Sequence, residues 1–168
     1  MPSISQVWRT TLCAALLALQ LNVAAASGQQ RWNLADLYAT PAAWDRAAAE
    51  LRSRLDALDH YRTTLASSAA SMLQALVAIS DARRAMGRLY VYAMLNSDED
   101  LRDARAQERK QQAQALAALL DEKTSWLAPA VQAIGPERVQ EFIASEGALK
   151  ARFDLMLDNT LRNLPHTV

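Results

Sequence analysis

The chain is predicted to be all-α, an antiparallel helical bundle of about five to seven helices preceded by a signal peptide. Three observations carry this. Gly and Pro are scarce, with 4 and 5 copies in 168 residues, whereas Ala and Leu are abundant. That composition favours helix and disfavours the turn-rich sandwiches and barrels. Apolar residues recur at steps of three and four, the signature of one face of a helix. No segment shows the period-two alternation of a half-buried strand.

The first 30 residues stand apart from this pattern. Arg9 precedes an apolar run from Leu12 to about Val23, and small residues follow at Ala24, Ala25 and Ala26. A basic start, a short apolar core and a small-residue site make a secretory signal. The expected division is a signal peptide over residues 1–26 and one helical domain over 27–168. Gln20 and Asn22 interrupt the run, which is short for a bilayer span, so no stable membrane anchor is expected. The product is expected to be exported, periplasmic or secreted. Cys13 is the only cysteine and lies inside the signal. The mature chain would then offer no disulfide and no thiolate.

In the mature region, "RWNLADLY" places Trp32, Leu34, Leu37 and Tyr38 in a short lead-in whose aromatics should lie on the helices that follow. Thr40 is a helix cap, and Pro41 suits the first helical position. Trp44, Ala48, Leu51, Leu55 and Leu58 then form one stripe on a helix to about Tyr61. Ser67-Ser68 opens the next helix. Met72, Leu76, Ile79, Met86, Tyr90 and Ala93 share its face, with Leu73 and Leu89 widening it. Arg83 belongs at the rim. Gly87 in mid-helix suggests that another helix approaches closely. "NSDED" should start a third helix, capped by Ser97 or Asp98, with Glu99 and Asp100 at its positive dipole end. That helix reads as long and polar, from Leu101 to about Leu127, with Arg105, Arg109 and Lys110 on a solvated face. Pro129 and Pro136 sit near the starts of two short helices that supply Val139, Phe142 and Ile143 to the core. After Gly147 a last helix carries Leu149, Phe153, Met156, Leu157 and Leu161, with enough apolar surface to expect part of it exposed.

Chemistry-bearing residues are few. Acidic and basic side chains balance at 18 each, so no global field draws the chain to nucleic acid. The two histidines, His60 and His166, belong to no H-E-x-x-H. There is no G-x-S-x-G and no Gly-rich phosphate loop. The acidic cluster around Asp98 lacks the alternate spacing and the turn glycine of a calcium loop. No catalytic, cofactor-binding or metal-ligating residue is expected.

Three segments in order point to a family. "RWNLADLYATPAAW", "RLYVYAMLNSDED" and "FDLMLDNTLRNLPHTV" resemble the N-terminal helical region of oligoendopeptidase F-like zinc metallopeptidases of the M3 peptidase family. The matching positions are Trp32, Leu34, Leu37 and Tyr38; then Leu89, Tyr90, Tyr92, Ala93, Leu95 and Asp98 to Asp100; then Pro165, His166 and Thr167, with Val168 where the family has Leu. The resemblance implies that "LPHTV" is an interior segment of a longer peptidase. It implies that zinc is held by H-E-x-x-H and a further Glu in a catalytic domain outside this sequence. It also implies that this domain walls a substrate channel admitting short peptides, and that its partner is that catalytic domain, in the same chain or separately encoded. Tyr90 and Tyr92 are the loosest candidates for channel-facing residues. The alternative is a standalone exported binding or scaffold module without enzymatic activity.

Overall fold

The computed structural model describes residues 32–162; the expected signal peptide and the "LPHTV" segment with His166 lie outside them. Residues 33–162 form one unit, and every regular element among the described residues is helical. A 3-10 turn at Leu34–Asp36 leads into α1 (Pro41–Ala57), a second 3-10 turn (Leu58–His60) and the single turn α2 (Tyr61–Thr64). Then come α3 (Ala69–Glu99), α4 (Ala104–Thr124), α5 (Leu127–Ile134), α6 (Pro136–Ser145) and α7 (Gly147–Arg162).

Local chemistry sets the boundaries. Thr40 and Ser68 each accept a backbone N–H three residues on, from Ala43 and Ser71, which satisfies a donor the helix cannot. Pro41 and Pro136 occupy first helical positions. Gly135 ends α5 at φ 85°, a conformation that disfavours any side chain, and its carbonyl then accepts from Val139 to start α6.

The third helix boundary departs from expectation. Ser97 and Asp98 do not begin a helix; α3 runs through them to Glu99. The cap of α4 is Asp103, whose Oδ1 accepts from the N–H groups of Arg105 at 2.9 Å and Ala106 at 3.2 Å. Ser97 is fully buried instead, and its hydroxyl accepts from the Gln107 amide at 3.1 Å. That burial holds the end of α3 helical and moves the turn to residues 100–103. Leu101 is consequently outside any helix and exposed.

Polar contacts fix the helix directions. Gln107 on Ser97, and Arg109 on Asn96 at 3.3 Å, set the start of α4 against the end of α3, so the two are antiparallel. Asp45 pairs with Arg109 at one end of the α1/α4 seam, and Asp56 and Asp59 pair with Lys123 at the other. Thus α1 and α4 run parallel to one another and antiparallel to α3, which packs against both. Helices α6 and α7 pack on α3, and α5 packs on α7.

The core contains the residues the stripes predict: Trp44, Leu51, Leu55 and Leu58 from α1 and its extension, Met72, Leu76, Ile79, Met86, Leu89 and Ala93 from α3, and Val139, Phe142 and Ile143 from α6. Two assignments change. Tyr92, not Tyr90, is the buried tyrosine of α3, because its ring meets Tyr38 edge-on at 5.5 Å, whereas Tyr90 is 36% exposed. Gly87 meets no helix: a Cβ built there has no heavy atom within 4 Å.

Candidate functional site

A groove of about 630 Å³ lies between α1 and α4. On α1, Asp45, Ala48, Ala49 and Arg52 repeat at helical spacing and present one wall. On α4, Arg105, Glu108, Arg109 and Gln112 present the other. The groove therefore carries charged residues on both sides, with alanines among its lining.

Its lining is partly buried at Arg109. The Arg109 side chain is only 14% exposed and pairs with Asp45 at 3.6 Å. Its Nη1 donates to Asn96 Oδ1 at 3.3 Å; the buried Nε is the atom that faces Asp45 Oδ1, at a distance too long for a hydrogen bond. Arg109 is thus not a member of a solvated face, contrary to expectation. It falls in register with Ala106, Ala113 and Leu116, which α4 buries. Tyr92 lies nearby, and burial raises its phenol above the usual value; Arg109 opposes this, while Asp45 and Glu99 add to it.

The other chemistry-bearing residues take structural roles. Asp100 accepts from the Arg102 backbone and guanidinium, and those hydrogen bonds hold its carboxyl below the usual range. Asp103 caps α4. Lys123 donates to Asp59 at 2.6 Å, which raises its ammonium above the ordinary lysine value. His60 stands exposed in the 3-10 turn, its ring edge-on to Tyr61 at 5.9 Å.

The residues present do not fit a peptidase zinc centre. The sequence has no H-E-x-x-H, and among the described residues no three His, Cys, Asp or Glu side chains converge. Nor is any described helix long and apolar enough to cross a membrane.

The fold and this groove define an all-helical domain. Its similarities are to peptidases. The chain is 26% identical over 140 residues to the oligopeptidase PepF of Bacillus subtilis, covering 83% of itself and 21% of that protein. It is 27% identical over 138 residues to the group B oligopeptidase PepB of Streptococcus agalactiae, covering 82% of itself and 23% of PepB. It is 26% identical over 136 residues to the plasmid oligoendopeptidase F of Lactococcus lactis subsp. cremoris. A crystal structure of a provisionally assigned peptidase from Chlamydophila abortus superposes with a TM-score of 0.67 at 24% identity, over 84% of this chain and 24% of that one, which supports the fold. No family model matches the chain. The chain is homologous, over four-fifths of its length, to the oligoendopeptidase F, PepF and PepB peptidases of the M3 family. It spans about a fifth of the length of those relatives.

Two of the three sequence segments supply core contacts in the structure. Leu34, Leu37 and Tyr38 pack against the core, and the Arg88 guanidinium donates to the Leu37 carbonyl at 2.9 Å. Leu89, Tyr92 and Ala93 are core residues of α3. The groove itself was not foreseen. Its signal was present in Asp45, Ala49 and Arg52, the polar and small residues flanking the α1 stripe on one side, but only the partner helix shows what they border.

Proposed function

We propose that the chain is the helical substrate-channel domain of an exported, zinc-dependent oligoendopeptidase that hydrolyses short peptides. It is not catalytic alone. The observation that carries this is the homology: four relatives named oligopeptidase or oligoendopeptidase align with four-fifths of this chain and about a fifth of themselves. In this reading the zinc chemistry lies in a portion of the enzyme outside this sequence. The absence of H-E-x-x-H from the sequence supports that division of labour. A rigid three-helix wall, clasped by ion pairs at both ends of the α1/α4 seam, suits a role in bounding a channel. Export rests on the signal-like residues 1–26.

The coding DNA beyond the Val168 codon tests this. An H-E-x-x-H in frame, or one frameshift away, is the expected result. A stop codon followed by unrelated genes, with no catalytic partner encoded elsewhere, would favour a standalone binding module instead.

A further inference from the structure

We propose that the α1/α4 groove is a carboxylate-binding subsite that takes the free C-terminal carboxylate of a short peptide. The peptide class rests on the substrate-channel reading; the preference for an anion rests on the groove alone.

Three guanidiniums line one cavity, those of Arg52, Arg105 and Arg109. Among the described residues, neither Arg52 nor Arg105 forms an ion pair. Arg109 is only partly satisfied. Its Nη1 contact to Asn96 is long, at 3.3 Å, and its buried Nε faces Asp45 Oδ1 at 3.6 Å, beyond hydrogen-bond length. Arginine carries five donors and no acceptor, so these long contacts leave the guanidinium with donor capacity for an anion. The opposing charge is smaller. Asp45 is engaged by Arg109, and Glu108 accepts from Gln112 at 3.3 Å. The groove therefore has an excess of positive charge in a molecule whose net charge is zero.

Shape narrows the ligand. The lining includes the short side chains of Ala48, Ala49 and Ala115, over which a peptide main chain can lie closely. The volume of about 630 Å³ falls within the range of small-ligand sites, about 300–1,000 Å³. The guanidinium fork matches a carboxylate through two parallel N–H donors. It matches phosphate as well, so the test must separate the two.

Backbone amide NMR of the full chain, titrated with N-acetyl-tetra-alanine, its C-terminal amide and inorganic phosphate, decides. The acid should shift amides of residues 45–52 and 105–112 saturably, and the amide should not. Phosphate should act more weakly than the acid. The Arg52→Gln/Arg105→Gln double variant should bind the acid about tenfold less tightly or worse, with spectra unchanged outside the groove. Both side chains are exposed; should the double variant nevertheless lose its fold, the single Arg105→Gln variant and the acid-against-amide comparison carry the same decision. Equal shifts from acid and amide, shifts elsewhere, or binding of phosphate alone would overturn the proposal. A downstream H-E-x-x-H without carboxylate binding removes the subsite and keeps the domain assignment. Binding without that motif does the reverse.

Discussion

The Trp44 indole N–H donates to the Leu89 carbonyl at 2.9 Å, in the fully buried contact between α1 and α3. The bond joins residues 45 apart in sequence, and it positions the helix that forms one wall of the groove. Trp44→Ala removes both a large buried ring and this donor. It should destabilise by about 3–5 kcal/mol. Trp44→Phe keeps most of the apolar bulk and loses only the indole hydrogen bond, and the Leu89 carbonyl, inside α3, keeps its helical partner, so its loss should be smaller. Urea denaturation of the two variants checks the order; equal midpoints for both and the parent would contradict it.

Tyr92 predicts an alkaline limit. Its phenol is raised from 10.0, first by burial, so the folded chain holds the proton more tightly than the unfolded one. The associated stability is intact below pH 10 and is lost as pH rises through the higher folded-state value. Tyr92→Phe should melt almost as the parent does at pH 7 and fall less steeply above pH 10. Identical alkaline profiles would mean that Tyr92 does not contribute to the decline.

Much of the fold was readable because large apolar residues mark a helix face unambiguously. Trp44, Leu51, Leu55 and Leu58 needed only their spacing. What escaped detection was carried by small and polar residues. Ala106 and Ala113 are fully buried on α4, but alanine marks no face in a sequence that is full of it, so Arg109 between them read as solvated. Ser97 read as a cap because serine does so often; its burial depends on Gln107, ten residues on. Tyr90 and Tyr92 were separable only once Tyr38 was in place. The groove depends on the parallel pairing of α1 and α4, which follows from long-range contacts and not from either helix alone.

Gly87 gives a stabilising prediction. It is exposed inside α3, and a Cβ there meets nothing within 4 Å. Gly87→Ala should stabilise by about 0.5–1 kcal/mol through reduced backbone freedom in the unfolded chain. A lowered melting temperature would show that the site needs glycine for another reason.

The last helix separates its apolar residues more sharply than its sequence suggests. Phe153 and Leu157 are buried, Met156 and Leu161 are half-buried, and Leu155, at 74% exposure, is the outward one. Leu157→Ala should cost about 2–5 kcal/mol, whereas Leu155→Ala should fall within about 0.5 kcal/mol of the parent. Chemical denaturation of the pair tests which face of α7 meets the core.

The central claim is that this chain can serve as the helical domain of an oligopeptidase. The most direct measurement replaces the matching fifth of the B. subtilis oligopeptidase with residues 27–168 and follows cleavage of a quenched fluorescent peptide. The chimera should hydrolyse the peptide in a chelator-sensitive manner, at least about tenfold faster than the same enzyme lacking that fifth. A chimera that folds and retains its metal, yet is no faster than the deletion, would contradict the account.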